Sequence, residues 1–211
     1  MFDPKVLTEE KSLAQIAWRS RRIPSNGFNV LVMIVTVATA TTYAYWSSRP
    51  SSSLVELDRL IASTGLTLST TVLGFLIAGF TIFATLTKPS LFQRMAIITH
   101  QKSGLSYLKY NFFTFIQVFI HYLCYTAFTW LLLIIGAKEG PLGEAAQRAF
   151  DNPVVIKSFI ARLGLVVLVA WSAYVLLILK SFVFNIFHVV MTAIRWEFEK
   201  PEETGTSNND R

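Results

Sequence analysis

The sequence predicts an all-α, polytopic membrane protein with four transmembrane helices and accompanying interfacial or cytoplasmic amphipathic helices. Composition is the first reason: 53% of the 211 residues are hydrophobic and only 15% are charged, whereas a soluble domain carries about a quarter charged residues. Grouping is the second, because the apolar residues fall in runs near the roughly 20 that span about 30 Å of hydrocarbon. Punctuation is the third: all seven prolines, at 4, 24, 50, 89, 141, 153 and 201, lie outside those runs, as expected of residues that end helices.

Taken in order, residues 1–27 form a cytoplasmic N-terminal segment in which "TEEKSLAQIAWRSRR" sets Leu13, Ile16 and Ala17 on one face and closes in Trp18 and a basic cluster. That pattern suits a helix lying in the membrane interface. Its length, acids and prolines do not match the short basic start of a secretory signal, so the first apolar run reads as an uncleaved anchor. Residues 28–199 make the transmembrane domain, with spans at about 28–46, 67–86, 112–135 and 160–182, the last helix continuing to about 196. Gly27, Gly65, Gly104 and Gly136 mark span boundaries. The connections are partly helical: "PSLFQRMAIITHQKSG" brings Phe92, Met95 and Ala96 together, and "LGEAAQRAFDNP" reads as a short helix stopped before Pro153. Residues 200–211 are polar and form a disordered cytoplasmic tail.

Lysine and arginine set the orientation. The N-terminal segment carries Lys5, Lys11, Arg19, Arg21 and Arg22, and the second loop carries Lys88, Arg94, Lys102 and Lys109. The C-terminal region adds Lys180, Arg195, Lys200 and Arg211, against Arg49 and Arg59 in the first loop and Lys138, Arg148, Lys157 and the flanking Arg162 in the third. Both termini and the second loop are therefore expected in the cytoplasm, and the membrane is read as a bacterial inner (plasma) membrane. Arg19, Arg21, Arg22, Lys88, Arg94, Lys102 and Lys109 form a basic membrane-surface set that attracts anionic headgroups. The net charge of +6 is spread beside apolar runs and is sparsely interleaved with aromatic residues, which argues against nucleic acid as a partner. Trp18, Trp196, Tyr107 and Tyr110 suit one aromatic belt, and Tyr43, Tyr45 and Trp46 the other.

Several chemistries are poorly supplied. No aspartate or glutamate occurs between Arg59 and Lys138, and Lys180 is the one charged residue from Gly164 to Ile194. A catalytic carboxylate pair or an acidic proton relay within the bilayer is not expected. Phosphate-binding loops, metal-ligand histidine pairs and nucleophile elbows are missing from the sequence. Cys124, the single cysteine, offers no disulfide or metal cluster within one chain. No catalytic, metal or cofactor site is expected, and the chain is read as a non-enzyme.

Three polar stripes remain. On the second span Thr70, Gly74, Ala78, Thr81 and Thr85 follow steps of three and four and share one small, weakly polar face. On the third, Tyr110, Thr114, Gln117, His121 and Tyr125 do the same. An unpaired glutamine or imidazole costs several kcal/mol in hydrocarbon, so Gln117 and His121 must face protein or water. Helix packing is the first account of both stripes; the alternative is that they line a pathway or cavity where several copies meet. On the fourth, Ser181, Asn185, His188, Thr192 and Arg195 form a narrow polar line on an otherwise apolar helix. A helix that overlong needs a partner, from this chain or another copy.

Together these readings describe a homo-oligomer that forms or gates a membrane pore or channel. The alternative is a non-conducting anchor or accessory subunit that docks a cytoplasmic or membrane partner.

Overall fold

The computed structural model describes residues 9–20, 27–46, 50–86, 88–101, 103–137, 140–141 and 152–198. Among them are six helices: α1 (Leu13–Ser20), α2 (Gly27–Trp46), α3 (Ser51–Leu86), α4 (Pro89–Ile97), α5 (Tyr107–Ile135) and α6 (Pro153–Phe198). Four of these, α2, α3, α5 and α6, are long and apolar enough to cross a membrane. The chain thus has the fold of a four-helix membrane protein. The expected short helix before Pro153, the polar tail, Arg21, Arg22 and Lys102 lie outside the described residues.

The second span is the largest departure from expectation. In place of a loop up to residue 66, α3 begins directly after Pro50 and runs 36 residues, about 54 Å at 1.5 Å per residue. Glu56, Asp58 and Arg59 lower the local hydropathy, but the helical period continues beneath them. Leu54, Asp58, Ala62 and Ser69 are all buried, with steps of three or four also taking in Gly65. Gly65 therefore ends nothing. A methyl group there would overlap the Tyr125 hydroxyl and stand 3.0 Å from its Cζ, so the glycine permits the close crossing of α3 and α5.

Two connections follow from local chemistry. Pro89 opens α4 at its first turn, where no intrahelical N–H is needed. The chain then reverses through a tight turn at Gly104, whose φ of 69° favours glycine. His100 N–H donates to Leu105 O at 2.7 Å and Tyr107 N–H to Ile98 O at 2.9 Å. Ser106 caps α5 by accepting from the Lys109 N–H at 3.2 Å.

The contacts fix the arrangement. Asn29 meets Ser181 and Tyr45 meets Arg162, so α2 runs antiparallel to α6. Tyr125 meets Ser172 and Asn111 meets Asn185, so α5 is also antiparallel to α6. Gly164 lies beside Asp58, whereas Phe182 clusters with Leu76, so α3 is parallel to it. One end of the bundle, here the basal end, holds Gly27, α4, the start of α5 and the end of α6. The opposite end holds Trp46, Asp58 and Arg162.

Packing is thin by the standard of a soluble core. One cluster joins Leu76, Val118, Tyr122, Tyr125, Val175 and Phe182 at the α3–α5–α6 centre. A second joins Ala44, Leu54, Ala161 and Leu165 near the far end. Most other apolar side chains point outward, which is what lipid as the solvent allows. Small residues and polar contacts then do the work that water exclusion does elsewhere. Hydroxyls that face outward are satisfied within their own helix, as Thr39 donates to Val35 O and Thr42 to Ala38 O, both at 2.8 Å.

Candidate functional site

Helix α2 packs chiefly on α6, which leaves a cleft between α2 and α5 floored by α6. The cleft has a volume of about 720 Å³. Its walls carry Asn29 from α2, Tyr110, Thr114 and Gln117 from α5, and Tyr174, Lys180, Ser181 and Asn185 from α6. Residues of the α5 and α6 sequence stripes both contribute to it, among apolar neighbours such as Val30, Ile34, Leu177 and Phe184.

Each polar group has a local reason for its position. Asn29 is the first polar residue of α2, and its Nδ2 donates to Ser181 Oγ at 3.0 Å while its Oδ1 accepts from Lys180 Nζ at 2.9 Å. The Lys180 ammonium also stands 4.4 Å from the centre of the Phe28 ring, a cation–π contact that partly offsets its cost near lipid. Thr114 returns its hydroxyl to Tyr110 O at 2.8 Å. Higher in the bundle His121 Nδ1 lies 2.7 Å from Gln117 O. A carbonyl only accepts, so Nδ1 carries the hydrogen, and in the neutral ring Nε2 accepts from the Tyr174 hydroxyl at 3.1 Å. Above this pair the Tyr125 hydroxyl meets Ser172 Oγ at 2.7 Å.

The α5 stripe is therefore split in two. Tyr125 and His121 are spent on packing against α6, whereas Thr114 and Gln117 border the cleft. The α3 stripe behaves differently: Thr70, Gly74, Ala78, Thr81 and Thr85 are all exposed. Their hydroxyls bond to carbonyls of their own helix, Thr70 to Leu66 O at 2.9 Å, Thr81 to Ile77 O at 3.0 Å and Thr85 to Thr81 O at 2.9 Å. Nothing lies within 4 Å of a methyl added at Gly74. The three stripes do not meet inside one bundle, because Leu76, Phe80 and Phe83 take the inward face of α3. Phe80 stacks on Phe115 at 4.7 Å, and Phe83 meets Phe92 and Phe112 edge-on.

The α6 stripe is divided: Ser181 and Asn185 meet neighbouring helices of this chain, whereas His188 and Arg195 are exposed. Ser181 accepts from Asn29, and Asn185 Nδ2 donates to Asn111 Oδ1 at 3.2 Å. His188 and Thr192 line a smaller pocket under α4, and Arg195 is exposed near the helix end. What α6 otherwise presents outward is apolar, with Val183, Phe187, Val190, Met191 and Ile194 all exposed.

Among the basic set, Lys109 is not a surface residue. It is buried and binds both carboxylate oxygens of Glu10 at 3.0 Å, holding α1 against α5. Arg19 joins the same cluster through Glu9 at 3.0 Å and through Glu10. Burial raises the Glu10 carboxyl, but hydrogen bonds from Lys109 and Arg19 outweigh it and hold the group below its ordinary value. Lys88 and Arg94 are exposed at the basal end.

Sequence reasoning missed one charged residue in the bundle. Asp58 is 6% exposed, its Oδ1 has no hydrogen-bond partner, and a methyl at Gly164 would stand 3.2 Å from its Oδ2. Its place in the series from Leu54 to Ser69 was the available signal. No group of residues suited to hold a metal ion occurs among the described residues. Compared with protein-family models, with curated proteins and with solved structures, the chain matches none. The site and the fold therefore define a class, the four-helix integral membrane protein with a lateral cleft that carries several polar side chains, and function must be argued from that cleft.

Proposed function

We propose that the protein is a non-enzymatic homo-oligomer that forms or gates a pathway across a bacterial inner membrane, with its basal end in the cytoplasm. The α2–α5–α6 cleft carries this reading. Thr114, Ser181 and Lys180 have partners within the chain, but an amide facing hydrocarbon costs several kcal/mol, so Gln117 calls for water or a second chain across the cleft. Closing a ring of copies over it turns a costly lateral groove into a polar conduit. The exposed Thr70–Thr85 face of α3 supplies a second surface on which copies approach closely, since small residues without lipid-filling side chains suit helix contact. The basal orientation rests on the lysines and arginines of the N-terminal segment and second loop.

The test is the mass of the particle extracted in nanodiscs, followed by ion flux through reconstituted vesicles. A closed ring whose flux falls at least tenfold in Gln117→Leu supports the pathway. A ring or monomer without flux, together with Gln117 inaccessible to water, refutes it. That result favours the second reading, an accessory subunit docking a partner through the apolar basal end of α6, where Val190, Met191 and Ile194 are exposed.

A further inference from the structure

Two pockets at the basal end adjoin and differ in chemistry. The first, about 260 Å³, is walled by Phe75, Phe80, Phe83, Phe112, Phe115 and Phe182, with Gly79 opening one side. The second, about 280 Å³, lies under α4 and presents His100, Tyr107, Tyr110, His188 and Thr192. Asn111, Asn185 and Val189 belong to both, so the two are one bipartite site joined at the Asn111–Asn185 hydrogen bond. From Phe182 to Thr192 the pair spans about 15 Å along α6, the hydrocarbon depth of a single leaflet. The phenylalanine half faces the bundle centre and the polar half the basal surface, which is the order of tail and head in that leaflet.

We propose that this site holds one uncharged single-chain lipid, an acylglycerol whose tail lies among the phenylalanines and whose hydroxyl and ester head lies under α4. Three observations commit the site to this occupant. The tail pocket, at about 260 Å³, has room for about nine groups the size of a water molecule, which matches one medium-length chain such as decanoyl and not two. No lysine, arginine, aspartate or glutamate lines either half among the described residues, so a phosphate head enters without a fixed countercharge. The Asn111 Nδ2 is buried without a hydrogen-bond partner at the junction, and such a donor calls for an acceptor of the kind an ester carbonyl offers. The head pocket's tyrosine and threonine hydroxyls both donate and accept, as a glycerol head requires.

Gly79 provides the test, because it lines the groove and nothing lies within 4 Å of a methyl placed there, so a side chain can be added at that point. Purified protein is titrated with 1-decanoylglycerol, and adducts per chain are counted by native mass spectrometry. The expected result is one saturable adduct per chain, lowered at least tenfold by Gly79→Leu and by Ile186→Trp, which enters the groove from α6. Asn111→Leu lowers it about fivefold, and Thr71→Leu on the exposed face of α3 leaves it unchanged. The anionic 1-decanoyl-lysophosphatidylglycerol is expected to bind at least tenfold more weakly. A lack of saturation, retention by both groove-filling variants, or equal binding of the anionic lipid overturns the proposal.

Discussion

Substituting Gly65 by alanine tests the α3–α5 crossing that sets the whole upper bundle. The added methyl overlaps the Tyr125 hydroxyl and approaches Cζ at 3.0 Å and Cε1 at 3.2 Å. Tyr125 is 1% exposed and its hydroxyl is held by Ser172 at 2.7 Å, so the ring cannot swing aside without losing that bond. Overpacking of this kind costs about 1–3 kcal/mol, and the lost hydrogen bond adds about 1 kcal/mol. The helix gains up to about 1 kcal/mol from alanine in place of glycine. The net expectation is a loss of about 1–3 kcal/mol, read as unfolding by steric trapping in bicelles. Tyr125→Phe alone is expected to cost only about 1 kcal/mol, because Ser172 keeps its bond to Leu168 O at 2.7 Å. The phenylalanine also removes the atom that the methyl overlaps. The double variant should therefore be more stable than the sum of the singles by about 1–2 kcal/mol. Additive singles, or a Gly65→Ala protein as stable as the wild type, refute the close crossing.

Three further outcomes follow from the same contacts. Glu10 is held below its ordinary value of 4.5 in the folded protein, so its contribution to docking α1 on α5 is present above that pH. It is lost as the pH falls through the lower folded value; hydrogen exchange over residues 9–20 should rise there, and Glu10→Gln should remove the transition. Asp58→Asn, which replaces an unpartnered carboxylate by an uncharged group of the same shape, should stabilise the bundle at pH 8 by roughly 1 kcal/mol or more in the unfolding assay. A loss of stability there would mean that the carboxylate has a partner. In a Cys124→Ala background, cysteines placed at Thr114, Gln117 and Ser181 should react with a charged, membrane-impermeant thiol reagent, whereas one at Val175, buried at the centre, should not.

The fold was largely legible because long apolar runs leave few alternatives, and α2 and α5 fall within a few residues of the expected bounds. The start of α3 was not, for a reason specific to Glu56, Asp58 and Arg59. Hydropathy averages over all sides of a helix, whereas burial depends on one side, so three charges hid a continuous buried face. The α5 and α6 stripes were legible as periodic lines of polar residues, but their direction was not. Asn29, Asn111, Tyr174 and Ser172 decide which way they point, and a partner on another helix leaves no mark in local spacing. The α3 stripe shows the converse: threonines satisfied by their own carbonyls carry no information about a neighbour.

α6 has one further consequence. It is a single helix of 46 residues, about 69 Å long, and no proline interrupts it after its first residue. Such a rod transmits rotation without absorbing it. Pivoting by 10° about Gly164 would sweep Phe198, about 51 Å away, through about 9 Å. A small tilt where Gly164 packs beside Asp58 is thereby magnified toward the basal tip of the helix.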